Sequence, residues 1–270
     1  MPVTSVTVEL KTRAIRVDVP VLVALEAGTF TIREFSLNLS EGGIFVATDK
    51  WCAVGTRGTL RFQLTRFDEP FVLQAEVVRA VEPGREAEGQ TPGLGIRFLD
   101  PKPEDHDRLR ALLEGVRSGS IVEAFRRSIR ESGRPFDVAI RTRPTSHKMM
   151  LAVNAKAEEI NGLIRDGNPL VIARLLDCPR LTVPHVAAIL RNRSLPTAVL
   201  IAIKKDSRWL SHEMLRWLFC GHPAAVLKDV EEELPRLTDE NVRQIAADAN
   251  VRTRVRMKAK EQTARRGGRP

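Results

Sequence analysis

Cys178, His185, Cys220 and His222, in the second half of the chain, have types that bind zinc. Their spacings, Cys-x6-His and Cys-x-His, fit no common zinc module, so no metal site is expected. Glu231-Glu232-Glu233 offers adjacent carboxylates, but a run of this kind on a helix end is ordinarily a solvated face. The chain has no Gly-x-Ser-x-Gly, no phosphate-cradling glycine loop and no His-Glu-x-x-His, and no enzymatic activity is expected. Two other groups are suited to recognition. Trp209 and Trp217 lie in a dense apolar helix, where a tryptophan is either core or a contact for a protein partner. Residues 252–270 carry eight Lys and Arg against one Glu, an attraction for polyanions that makes nucleic acid a conceivable partner.

These residues sit on elements of two different periods. Up to about residue 100 apolar side chains recur every second residue. Val3–Val8, Val17–Val23, Thr29–Ile32, Leu60–Leu64 and Val72–Val78 read as strands. Turn signals at Ala27-Gly28, Glu41-Gly42-Gly43, Gly55 to Gly58, Pro83-Gly84 and Pro92-Gly93 separate them. Six or seven short strands in this length imply a small antiparallel barrel or sandwich, with Pro20 at an edge or at the start of the barrel. Pro101, Pro103 and the acidic start of Asp105–Leu113 predict a closing helix.

Beyond residue 150 the period becomes 3.6 and the helices are short, with Pro or Asn at most boundaries. Pro179-Arg180-Leu181-Thr182 recurs 56 residues later as Pro235-Arg236-Leu237-Thr238. The offset continues from Val186 to Val242, Ile189 to Ile245 and Val199 to Val255. Thr182 and Thr238 are placed to cap the helices that follow. One such helix cannot bury its apolar face alone, whereas stacked copies can. A HEAT-like α-solenoid built from about two long units is therefore expected, with an irregular bundle as the alternative. The expected division is a β-barrel domain at 1–117, a partly helical connector at 118–150, a helical-repeat domain at 151–264 and a basic disordered tail at 265–270.

The composition sets the outer limits. At 43% hydrophobic residues the chain can bury real cores. It contains no run of 18 apolar residues, and Met1–Leu10 lacks the pattern of a signal peptide. Membrane insertion is not expected, and a cytoplasmic location is. Cys52, Cys178 and Cys220 form no close-spaced pair and are expected as free, buried thiols.

Within the first half, Ser36-Leu37-Asn38-Leu39-Ser40-Glu41-Gly42-Gly43-Ile44-Phe45-Val46 resembles the Asp/Asn-x-Ser-x-x-Gly signature of PilZ domains, matched by Asn38, Ser40 and Gly43. Arg16, ahead of the first barrel strand, takes the place of the second arginine in the family's Arg-x-x-x-Arg run. Thr12 stands where the first arginine belongs, flanked by Lys11 and Arg13. Val54-Gly55-Thr56 and the terminal Pro92-Gly93-Leu94-Gly95-Ile96-Arg97-Phe98 strand extend the likeness over residues 8–117.

The resemblance implies a multidomain α+β chain: a PilZ-type barrel with its closing helix, then the all-α repeats. It also implies a receptor for the second messenger cyclic di-GMP, held by Arg16, Asn38, Ser40 and Gly43, with Arg13 taking over the place of the missing arginine by a one-residue slip, and with no other cofactor. Arginine suits this ligand, because its planar fork bonds phosphate oxygens or the guanine O6/N7 edge. In this reading the chain is a signalling adaptor in motility or polarity control whose repeats bind a protein. The alternative is a barrel that binds no nucleotide and serves purely as a scaffold for proteins.

Overall fold

A computed structural model describes residues 15–64, 68–84 and 90–267. The chain divides into two compact units, Met1–Arg126 and Arg127–Pro270.

The first unit is a closed six-stranded barrel, consisting of β1 (Leu22–Ala27), β2 (Phe30–Ser40), β3 (Gly43–Ala47), β4 (Arg57–Gln63), β5 (Phe71–Val81) and β6 (Gly93–Leu99). Every pairing is antiparallel, in the order β1-β2-β3-β6-β5-β4, and β4 returns to β1. Closure leaves no open sheet edge. Alternate side chains such as Val23, Leu25, Leu60, Leu73 and Ile96 fill the interior, as the period-two pattern requires. Phe62 stacks on Phe71 at 4.7 Å and on Phe98 at 5.9 Å. Helix α1 (Pro103–Arg117), longer than the sequence signals suggested, starts on its proline and buries Leu109 and Leu113. Its Arg108 guanidinium covers the Phe71 ring at 4.4 Å and donates to the Glu69 carbonyl at 2.6 Å.

One sequence expectation needs adjustment here. The strand expected over Val17–Val23 is interrupted: Val17 makes an isolated bridge to Leu39, and β1 begins only at Leu22, after Pro20. Proline has no N–H to give a ladder, so regular pairing resumes beyond it. The strand expected at Val3–Val8 lies outside the described residues.

Helix α2 (Ser120–Glu131) ends before Ser132-Gly133-Arg134-Pro135. The second unit then continues with α3 (Phe136–Arg141), α4 (Thr145–Val153), α5 (Ala157–Asp166), α6 (Pro169–Leu175), α7 (Val183–Arg191), α8 (Thr197–Lys205) and α9 (Ser207–Leu210). It closes with α10 (Glu213–Cys220), α11 (Leu227–Glu233), α12 (Asp239–Ala247) and α13 (Thr253–Gly267). Helices α3, α5, α7, α10 and α12 pack each on the next in one row. The row behind runs α4, α6, α8 and, through Lys204 to Asp229 and Glu232, α11, which packs on α13.

Local chemistry sets the breaks. Gly167 ends α5 with φ +71°, and Asn168 then accepts from the amides of Leu170 and Val171 ahead of Pro169. Thr238 Oγ1 accepts from Asn241 N at 3.4 Å, as expected of a cap. At α7 the cap differs, because His185 Nδ1 accepts from the Thr182 amide at 3.2 Å.

The 56-residue offset holds, but it spans two helix pairs rather than one long unit. The front-row helices α5, α7, α10 and α12 begin at Ala157, Val183, Glu213 and Asp239. Alternating short and long units hide the single repeat, and only their sum recurs cleanly. The end of the chain also differs from expectation. Arg265 and Arg266 belong to α13 rather than to a disordered tail, with Arg266 donating to Leu237 O, Pro235 O and Asp239 Oδ1. Among the described residues, no helix is long and apolar enough to cross a membrane.

Candidate functional site

The outward face of four consecutive strands, β2, β3, β6 and β5, carries two cross-strand rows of side chains. In one row Asn38 faces Phe45, Phe45 faces Gly95, and Gly95 faces Arg79. In the other Ser40 faces Gly43, Gly43 faces Arg97, and Arg97 faces Glu76. Directly opposed residues on one face of a sheet are neighbours, so each row is a contiguous strip.

Strict alternation would not produce this face. On β2, Ile32 and Ser36 point inward, and continuing by twos would send Asn38 inward as well. The register shifts between Ser36 and Asn38, leaving Leu37 as the extra residue, so that Leu39 is buried and Asn38 turns out. On β5, Leu73, Ala75 and Val77 point inward, and Arg79 would follow them. A second shift between Val77 and Arg79 makes Val78 the extra residue and leaves Arg79 exposed. Each β-bulge thus re-aims one polar side chain onto the outer face.

Arg16 is brought to this face by the bridge at Val17, whose amide donates to Leu39 O at 2.8 Å while Leu39 N donates to Val17 O at 2.9 Å. Ser36, inside the barrel, donates to Val19 O and accepts from Val21 N, which fixes the segment entering β1. At the β2–β3 turn the Ser40 hydroxyl donates to Gly43 O at 3.0 Å.

The result is a concavity of about 280 Å³ lined by Arg16, Asn38, Ser40, Gly43, Arg79 and Arg97, with Gly42, Ile44, Phe45, Val78, Gly95 and Ile96 completing its wall. Of the site residues expected from the sequence, Arg16, Asn38, Ser40 and Gly43 come together here, and Arg13 lies outside the described residues. Arg79 and Arg97 were not foreseen. Arg97 stood within the Gly-Ile-Arg-Phe strand, and its outward position followed from the alternation alone. Arg79 could not be placed without the bulge.

The electrostatics of the two arginines differ. Arg97 is bound to the Glu76 carboxylate, which Arg57 also approaches at 3.6 Å. The Arg97 hydrogen bond holds the Glu76 carboxyl below the usual carboxylate range. Arg79 has no such counter-ion among the described residues. The face can therefore receive an anionic, planar ligand: guanidinium groups at both sides, short polar groups at Asn38 and Ser40, and bare backbone at Gly43 and Gly95.

In the helical unit the two tryptophans part company. Trp209, one of the two candidate partner contacts, is 4% exposed, and Arg208 covers its ring at 4.8 Å. It is core, because the short α9 turns its apolar pair Trp209-Leu210 inward. Trp217 is half-buried and lines a concavity of about 350 Å³ between front-row helices, with Leu190, Arg191, Arg193, Leu218 and Ile245. The Cys and His set is dispersed into structural duties. The Cys178 thiol lies 3.7 Å from Ala155 O, His185 caps α7, Cys220 is fully buried, and His222 joins two loops.

Comparison with known proteins places the first unit. The PilZ domain family matches residues 10–115. No curated protein matches the chain. Among solved structures, YcgR of Escherichia coli in complex with c-di-GMP is similar at 19% identity, covering 43% of this chain and 50% of that one, with a TM-score of 0.35. The Bacillus subtilis inhibitor of motility MotI/DgrA is similar at 18% identity, covering 40% and 52%, with a TM-score of 0.35. The isolated PilZ domain of YcgR with c-di-GMP is similar at 22% identity, covering 42% and 97%, with a TM-score of 0.33. The chain thus spans about half the length of the first two of these proteins.

Proposed function

We propose, from the premise that residues 10–115 are a PilZ domain, that the barrel is a cyclic di-GMP receptor and that the chain is a signalling adaptor. The observation that carries this reading is the convergence of Arg16, Asn38, Ser40 and Gly43 with Arg79 and Arg97 in one outward concavity. The ligand has two phosphodiesters and two guanines. Guanidinium groups bond phosphate oxygens bidentately, and they also stack on a base or bond its O6/N7 edge. The departure at Thr12 removes one family arginine, and the two strand arginines supply cationic groups on the same face.

The helical repeats are, in this reading, the output module: an extended surface for a protein partner, with Trp217 as its half-buried anchor. A cytoplasmic role in motility or polarity control accords with the family.

Calorimetric titration of the full chain with cyclic di-GMP tests the receptor. Saturable heat that is lost or much reduced in Arg16→Ala is the expected result. Absence of heat with the wild-type chain at high ligand concentration overturns it in favour of a barrel that only scaffolds proteins.

A further inference from the structure

Gly95 sits on β6 between Phe45 of β3 and Arg79 of β5, each directly opposite it in register. The three atoms nearest to a Cβ built at Gly95 all belong to Arg79, with its Cβ at 3.1 Å, so the outer surface at this point is bare backbone with the root of Arg79 at its edge. Val78, the extra residue of the β5 bulge, is 44% exposed and lines the same concavity. The neighbouring row has a different character: Ser40, Arg97 and Glu76 are polar or charged. A nucleotide has two kinds of surface to place, a charged phosphodiester and a flat base. The flat base needs a floor without side chains and a planar group to lie against.

We propose that Gly95 and Arg79 form a base-binding slot, in which a guanine of the ligand lies on the Gly95 backbone and is held by the planar Arg79 guanidinium. Arg79 thereby supplies the second arginine contact that Thr12 does not. Two features specify the slot apart from the family resemblance, the bulge that turns Arg79 outward and the lack of a counter-ion for Arg79 among the described residues, and the bare backbone at Gly95 completes it. The assignment rests on the cyclic di-GMP reading and adds to it the residue that holds the base.

The test is titration of the full chain with cyclic di-GMP for wild type, Arg79→Ala, Arg79→Lys and Gly95→Ala. Arg79→Ala is expected to weaken binding about tenfold or more. Arg79→Lys is expected to stay as weak, because an ammonium keeps the charge but lacks the plane. Gly95→Ala is expected to weaken binding by raising the floor, which keeps the proposal open to refutation should an Arg79 variant fold poorly. Wild-type binding with Arg79→Ala unchanged overturns the slot and leaves the receptor intact. Full rescue by Arg79→Lys also overturns it, since charge alone would then suffice. A wild-type chain that binds no cyclic di-GMP overturns the receptor and the slot together.

Discussion

Gly43 stands directly opposite Arg97 across the β3–β6 ladder, and the missing side chain at Gly43 is what lets the two strands close. A Cβ there would lie under 3.0 Å from the Ile96 carbonyl oxygen, with the Arg97 Cα at 3.3 Å. The obstacle is backbone, which cannot swing aside as a flexible side chain would. The glycine of the family signature is therefore needed by the barrel itself, whatever the ligand.

Gly43→Ala is accordingly expected to destabilise the barrel by about 1–3 kcal/mol, the usual cost of forcing a group into a filled site. Thermal unfolding of the first unit's signal would report it. Ser40→Ala, which removes only the hydroxyl donor to Gly43 O at the turn, is expected to cost about 1 kcal/mol.

Lys148 and Asp166 form an ion pair at 2.7 Å with both side chains less than a tenth exposed, and the Lys148 ammonium also donates to Arg141 O at 3.1 Å. Removing one partner strands a buried charge. Lys148→Ala is expected to cost about 3–5 kcal/mol in denaturant unfolding, whereas Lys148→Met with Asp166→Leu should recover much of that loss.

His222 is 2% exposed and neutral: its Nδ1 accepts from Ala224 N at 3.1 Å, so the proton sits on Nε2, which donates to Asn192 O at 3.0 Å. Burial pushes its pKa below the ordinary value of 6.5. The unfolded chain then takes up a proton that the folded chain refuses. The His222 contribution is complete above about pH 6.5 and is lost as pH falls from there toward the depressed folded value. Urea unfolding between pH 7.5 and 5.5 should show this loss, and His222→Gln should lack that part of the slope.

The three thiols should report unfolding. Cys220 is fully buried, and burial pushes its thiol up to about 12. Only the thiolate reacts with disulfide reagents. Labelling of Cys220 at pH 8 is therefore expected only on the timescale of opening of the second unit. Fast labelling of Cys220 in the native chain would contradict the packing described.

The barrel was legible because period-two apolarity carries directly into which side chains face inward, and Leu60, Phe62, Leu73 and Ala75 obey it. The site was legible only up to the signature itself. Asn38 and Ser40 differ by two and do share a face, but neither residue declares the shift at Leu37 that turns that face outward. Arg79 was hidden more completely, since Val77-Val78-Arg79 gives no sign of which valine is the extra one. A bulge is a property of a strand pair, decided by the partner strand, and one strand's residues do not declare it. The tryptophans show the same limit in helices. Trp209 and Trp217 lie in one apolar stretch, and the break at Ser211-His212 between α9 and α10 separates their fates.

The alternating lengths of the helix pairs have a consequence for how the second unit could change size. Thr182 and Thr238 each stand immediately before a front-row helix, one ahead of α7 and the other ahead of α12. An in-frame excision of residues 183–238 would join Thr182 to Asp239 and seat α12 on the flank of α5 that α7 now occupies. Two helix pairs, 56 residues, are thus the increment by which the front row keeps a threonine ahead of the helix that follows.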